Sequence, residues 1–152
     1  MKSGQQVILY KSQKFNMENI LFCSVGRRAK LLMDLKKSLN GLGKIVVTDA
    51  SPVAPALFFA DEAHLVPRIN APDYYSKVIE ICERSDIKAI TTLIDPEIEF
   101  LARHREDFIS RGILPLCPAY WTAQLCFDKY EMFKHLHNKG IRTVLTYNSL
   151  ES

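Results

Sequence analysis

The sequence predicts an α/β domain: a mostly parallel open sheet with helices on both faces. Three observations predict it. Short apolar runs alternate with segments of helical period, in the order β-α-β-β-α-β-α-β-α. The first run, Asn19-Ile20-Leu21-Phe22-Cys23-Ser24, is apolar without alternation, as a strand buried on both faces must be. The chain has 152 residues, 47% hydrophobic and 24% charged, which suits one ordinary globular domain with helix crossovers.

The elements follow in order. Residues 1–16 read as an extension outside the folded domain, although Val7–Tyr10 can add an edge strand. From Gly26 to Leu42, Leu32, Leu35, Leu39 and Leu42 form one helical stripe. Lys30 and Asp34 are placed to pair at i, i+4. Gly41 and Gly43 are expected to stop this helix. Lys44–Asp49 is a second strand, Ser51–Pro55 a loop, Ala56–Ala60 a single helical turn, and Ala63–Val66 a third strand.

Pro72–Ser85 is a helix with Tyr75, Val78, Ile79 and Cys82 inward. Lys88–Ile94 is a fourth strand. Pro96–Ser110 is a helix with Ile98, Leu101, Phe108 and Ile109 inward. Leu114–Cys117 is a fifth strand, followed by short helices Tyr120–Phe127 and Lys129–Lys139. The segment Ile141–Tyr147 reads as extended and β-branched, with little left to pair with. The domain is therefore expected over 17–140, with 141–152 as the approach to something further.

Charge excludes two classes of partner. There are 20 Lys and Arg against 17 Asp and Glu. Lys2, Lys11 and Lys14 lie in residues 1–16, which hold no acid, so the remainder is neutral. No basic patch interleaves with aromatics, which argues against nucleic acid and anionic membrane. No apolar run is long enough to span a bilayer, and a cytoplasmic setting is expected. Cys23, Cys82, Cys117 and Cys126 form no C-x-x-C pair and read as buried reduced thiols. His64, His104, His135 and His137 are scattered, so no metal site is expected.

In open α/β sheets ligands sit beyond the carboxyl ends of the strands. Three strand ends carry candidate residues. At the first, Gly26 allows a tight turn into the helix, while Arg27 and Arg28 oppose the helix dipole. A bound carboxylate or phosphate would compensate them. The G-x-G-x-x-G fingerprint fails, since Arg28 and Leu31 stand where glycines belong. At the second, Asp49 either accepts from a ligand hydroxyl or amine, or starts an Asx turn. At the third, Asp95 is expected as an N-cap, with Pro96 at N1 and Glu97 favouring the dipole, and both carboxylates can also meet a ligand. No nucleophile motif appears. Tyr120, Trp121, Phe127, Tyr130 and Phe133 read as core, or as a seam against another domain.

The ordered set of motifs resembles the start of ATP-grasp ligases of the short carbamoyl-phosphate-synthase-large-subunit-like type. It comprises Asn19–Arg28, Thr48-Asp49-Ala50, Asp61-Glu62, Asp73-Tyr74-Tyr75 and Leu93-Ile94-Asp95-Pro96-Glu97. Its most specific piece is Asp128-Lys129, a helix, then Gly140-Ile141-Arg142-Thr143 and Thr146, although Arg142 and Val144 depart from the usual residues. The resemblance implies a Rossmann-like pre-ATP-grasp domain that helps to hold substrate. It implies ATP and Mg2+ for a full-length parent, bound C-terminal to this passage, and none in this chain. By position, Gly26, Arg27, Arg28, Asp49, Asp95 and Glu97 would face a small anionic substrate. Docking to an ATP-grasp domain is implied, with this chain inactive alone. Two alternatives stay open: a free-standing nucleotide- or sugar-nucleotide-binding Rossmann module, and a non-catalytic interaction protein or homo-oligomer.

Overall fold

The computed structural model describes residues 18–149. The extension and its candidate strand Val7–Tyr10 lie outside them. Five strands form one parallel sheet in the order β3-β2-β1-β4-β5. They are β1 (Asn19–Cys23), β2 (Ile45–Asp49), β3 (Glu62–Leu65), β4 (Ile87–Thr92) and β5 (Leu114–Pro115). The helices are α1 (Ala29–Leu39), α2 (Tyr74–Arg84), α3 (Asp95–Arg103), α4 (Arg105–Ser110), α5 (Tyr120–Phe127) and α6 (Lys129–Asn138). Pro55–Phe59 is a 3-10 turn.

Strand period explains the two-sided core. Successive side chains point to opposite faces. Leu21, Cys23 and Val46 therefore join Tyr74, Val78 and Cys82 of α2, Leu101 of α3 and Phe108 of α4. Phe22, Ile45 and Val47 point the other way, onto Leu32 of α1 and Ala56 of the 3-10 turn. The central strands are buried on both faces, so they read as continuous apolar runs.

Several boundaries differ from expectation for local reasons. Helix α1 ends at Leu39, where Asn40 takes a left-handed conformation and donates its N–H to Lys36. Leu42, the last of the leucine stripe, is consequently exposed. Gly43 has another role: a Cβ there would run into the Glu18 carbonyl, where the chain enters β1. The expected helix 96–110 is two helices, α3 and α4, that meet at His104. The His104 ring stacks on Tyr75 with centroids 4.5 Å apart. The break shifts the helical phase, so Ile109, expected inward, is exposed.

β5 is shorter than expected. Arg105 Nη1 donates to Pro115 O (3.3 Å) and Cys117 O (3.2 Å) on its outer side, while the Leu116 N–H still donates to Ile90 O of β4 at 2.8 Å. The Asp128-Lys129 pair opens α6: the Asp128 carboxylate accepts the Tyr130 and Glu131 N–H groups at 3.0 Å each. Cys23 and Cys82 are buried as expected, Cys117 is half-buried, and Cys126 is exposed. The Lys30–Asp34 ion pair forms at 2.6 Å. Ile141–Leu145 is exposed and joins no strand among the described residues. No helix among them is long and apolar enough to cross a membrane.

Candidate functional site

The strand order reverses at β1, whose neighbours are β2 and β4. A crevice is expected beyond the carboxyl ends there. A cleft of about 540 Å3 lies at that edge, lined by Ser24, Asp49, Ser51, Arg68, Asn70 and Tyr74 among others. Val66, Pro67, Ile69 and Ile94 supply its apolar wall. This combination of an apolar wall with a few convergent polar groups is the usual make-up of a small-molecule site.

The floor is built by hydrogen bonds between distant parts of the chain. Ser24, just past β1, has φ +48°, and Gly26 has φ +52°. A left-handed serine is disfavoured and persists only where its surroundings hold it. Two contacts hold this one. Its hydroxyl donates to Glu97 Oε1 at 3.0 Å, and its carbonyl accepts from Arg28 Nη1 at 3.1 Å. Arg28 Nη2 also reaches Leu93 O at 3.4 Å, so the guanidinium ties the end of β1 to the loop after β4. The cost of a cation at the start of α1 is offset by these carbonyls.

Asp49 makes the expected Asx turn and a second backbone bond that was not expected. Its Oδ1 accepts from Ser51 N–H at 2.8 Å, which is the Asx turn. Its Oδ2 accepts from Gly26 N–H at 2.8 Å. A side-chain carboxylate thus takes the turn N–H that a dinucleotide phosphate would need in an NAD-type site. Asp49 still faces the cleft.

Glu97 differs most from its sequence reading. It was expected to favour the helix dipole from the first turn; instead it is fully buried. Besides Ser24, it accepts from the Tyr74 hydroxyl on Oε1 and from the Thr92 hydroxyl on Oε2. Three hydroxyls from three segments converge on one carboxylate, which satisfies a buried charge without an ion pair. Burial, with Cys23 and Glu97 beside it, pushes the Tyr74 phenol well up. That phenol therefore stays protonated and donates. Burial, and next the Glu97 charge, pushes the Cys23 thiol up too.

Asp95 is the first residue of α3 rather than its cap. The capping position is Ile94, with no side-chain cap, and Thr92 Oγ1 accepts the Ile94 N–H at 3.3 Å. The Asp95 carboxylate lies 3.6 Å from Lys129 Nζ, at the start of α6. Arg27 is exposed, with no partner among the described residues. Of the six residues singled out from sequence, Asp49 lines the cleft, and Gly26, Arg28 and Glu97 bond to residues that line it. Arg27 and Asp95 are not brought to its lining. Ser24 and Ser51 belong to the candidate strand ends Ser24–Arg28 and Asp49-Ala50-Ser51; the sequence reading missed Arg68, Asn70 and Tyr74 as site residues. The Val66–Pro72 loop, polar and bounded by prolines, was the available signal for two of them. Among the described residues no group of three His, Cys, Asp or Glu is placed to hold a metal.

Comparison with known proteins places this geometry. The family model described as "PylC-like, N-terminal domain" matches residues 20–116. No curated protein matches the sequence. Among solved structures, N5-carboxyaminoimidazole ribonucleotide synthetase from Thermotoga maritima is similar, with TM-score 0.62 and 19% identity. The match covers 89% of this chain and 35% of that one. The L-amino acid ligase from Bacillus licheniformis matches with TM-score 0.63 and 16% identity, over 84% and 30% of the two chains. The biotin carboxylase domain of a single-chain bacterial carboxylase matches with TM-score 0.59 and 17% identity, over 88% and 32%. The chain thus spans about a third of the length of each. At these identities the likeness establishes the fold alone. With its match over most of the sheet and helices, the chain belongs to the PylC-like N-terminal domain family.

Proposed function

We propose that this chain is the substrate-binding N-terminal domain of an ATP-dependent carboxylate–amine ligase and is inactive alone. The observation that carries this reading is the cleft at the strand-order reversal, with Asp49 and Ser24 on its floor and Arg68 on its loop side. A small carboxylate or phosphate substrate suits the cationic side of that cleft. In this reading Asp49 touches the substrate. Gly26, Arg28 and Glu97 hold the floor that presents it. Arg27 guides an anion inward, and Asp95 faces the side on which α6 begins.

ATP and Mg2+ enter only through the family resemblance, as ligands of a further domain of the parent enzyme. Against a nucleotide phosphate at the first turn of this chain, the Gly26 N–H is already taken by Asp49. The partner surface for that further domain is the exposed side of α5 and α6, where Trp121 and Phe127 stand out. A free-standing dinucleotide-binding module is the weaker reading, because its phosphate would have to displace Asp49 from Gly26.

Calorimetric titration of Mg-ATP into the 152-residue chain tests the reading. The expected result is no saturable heat. Micromolar affinity would overturn it.

A further inference from the structure

We propose that Glu97 is a positioning residue that sets the hydrogen-bond polarity of the cleft floor, so that the group a ligand brings to Ser24 is a hydrogen-bond donor. The inference rests on the cleft being the ligand site.

A serine hydroxyl has one proton to give and two lone pairs to receive with. Ser24 gives its proton to Glu97 Oε1 at 3.0 Å. Glu97 is fully buried, and the Tyr74 and Thr92 hydroxyls are turned onto it as well. What Ser24 has left for the cleft is acceptor capacity. Asp49, beside it, accepts only, and two backbone N–H groups leave its carboxylate with further lone pairs. The floor at the ends of β1 and β2 is therefore an acceptor surface. The lining's side-chain N–H donors, Arg68 and Asn70, come from the loop after β3.

A carboxylate or phosphate oxygen laid against the Ser24 hydroxyl would meet its lone pairs and those of Asp49, the Arg28 guanidinium being engaged with the Ser24 and Leu93 carbonyls. An ammonium, amide N–H or hydroxyl would be received there, with any anionic group of the same ligand towards Arg68. The left-handed backbone of Ser24 fits this assignment. Ser24 holds that conformation while its hydroxyl meets Glu97, and strain of that kind gathers at binding sites.

The test uses the full chain and two small probes, methylammonium chloride and sodium acetate, followed by amide chemical shifts. Methylammonium is expected to move the Ser24, Gly26 and Ser51 amides, and acetate to move those around Arg68 and Asn70. Ser24→Ala removes one charge-assisted acceptor and should weaken the methylammonium response about tenfold, leaving the acetate response in place. Glu97→Gln puts an N–H where an acceptor was. It should reduce the preference for methylammonium over acetate at Ser24, whereas a loss of stability alone would lower both responses together. Acetate moving the Ser24 amide in the native chain, or an unchanged methylammonium response in Ser24→Ala, overturns the inference and leaves the cleft standing as a site. Silence of every cleft amide to both probes overturns the cleft reading and the inference with it.

Discussion

Helices α2 and α6 are nearly the same length, yet they live in different parts of the molecule. α2 buries Tyr74, Val78, Ile79, Ile81 and Cys82 against the sheet. α6 buries no residue at all, and α5 before it buries only Ala123. Beyond them Val144, Leu145 and Tyr147 stand mostly exposed. The sheet half is held by removal of apolar surface from water. The α5–α6 half is held by local devices: the Asp128 cap, the packing of α5 on α3, and Arg103 with Glu99 and Tyr120. The difference teaches that α6 leans on its Asp128 cap and α5 on its packing against α3, while Trp121 and Phe127 of α5 stay exposed. Docking against a further domain, as proposed above, would cover those residues.

Mutation can break or sharpen the contrast. The largest effect is expected in the sheet half. Phe108 is fully buried among the residues joining α2, α4 and the sheet. Phe108→Ala should cost about 3–5 kcal/mol, read from chemical denaturation. A loss below about 1 kcal/mol would deny the sheet half its central place.

Asp128→Ala should act locally. Removing the cap of α6 costs about 1 kcal/mol. Amide exchange at Tyr130 and Glu131 should therefore quicken about fivefold, with the thermal midpoint of the whole chain nearly unmoved. A fall of the whole chain's midpoint would show that α6 is integral to the core.

The smallest effect is expected at Trp121, which is 62% exposed. Trp121→Ala should change the stability of this chain by less than about 0.5 kcal/mol. A loss of several times that would mean the indole already packs within this chain, and the open face would lose its main feature.

Much of the fold was legible because its signals are local. The strand Asn19–Cys23 and both C-terminal helices lie within a residue of where apolar pattern and cap residues put them. Gly26 at a positive φ was legible from the turn that must follow β1. The break at His104 was not, since no glycine or proline marks it; a ring stacked on Tyr75 does. Leu42 was misread because Asn40, not a glycine, ends the helix first.

The candidate site divides along the same line. By itself the sequence determined the alternation of elements, the parallel sheet that follows from it, and the edge where a ligand is expected. These rest on periodicity and crossover geometry, which neighbouring residues encode. Only the tertiary structure decided that Glu97 is buried, that Ser24 and Tyr74 point their protons at it, and that Asp49 closes the Gly26 turn. Ser24 and Glu97 are 73 residues apart, and Asp49 and Gly26 are 23 apart. A carboxylate's partners are set by which segments meet in space, and meeting follows from the strand order β3-β2-β1-β4-β5 rather than from any local pattern.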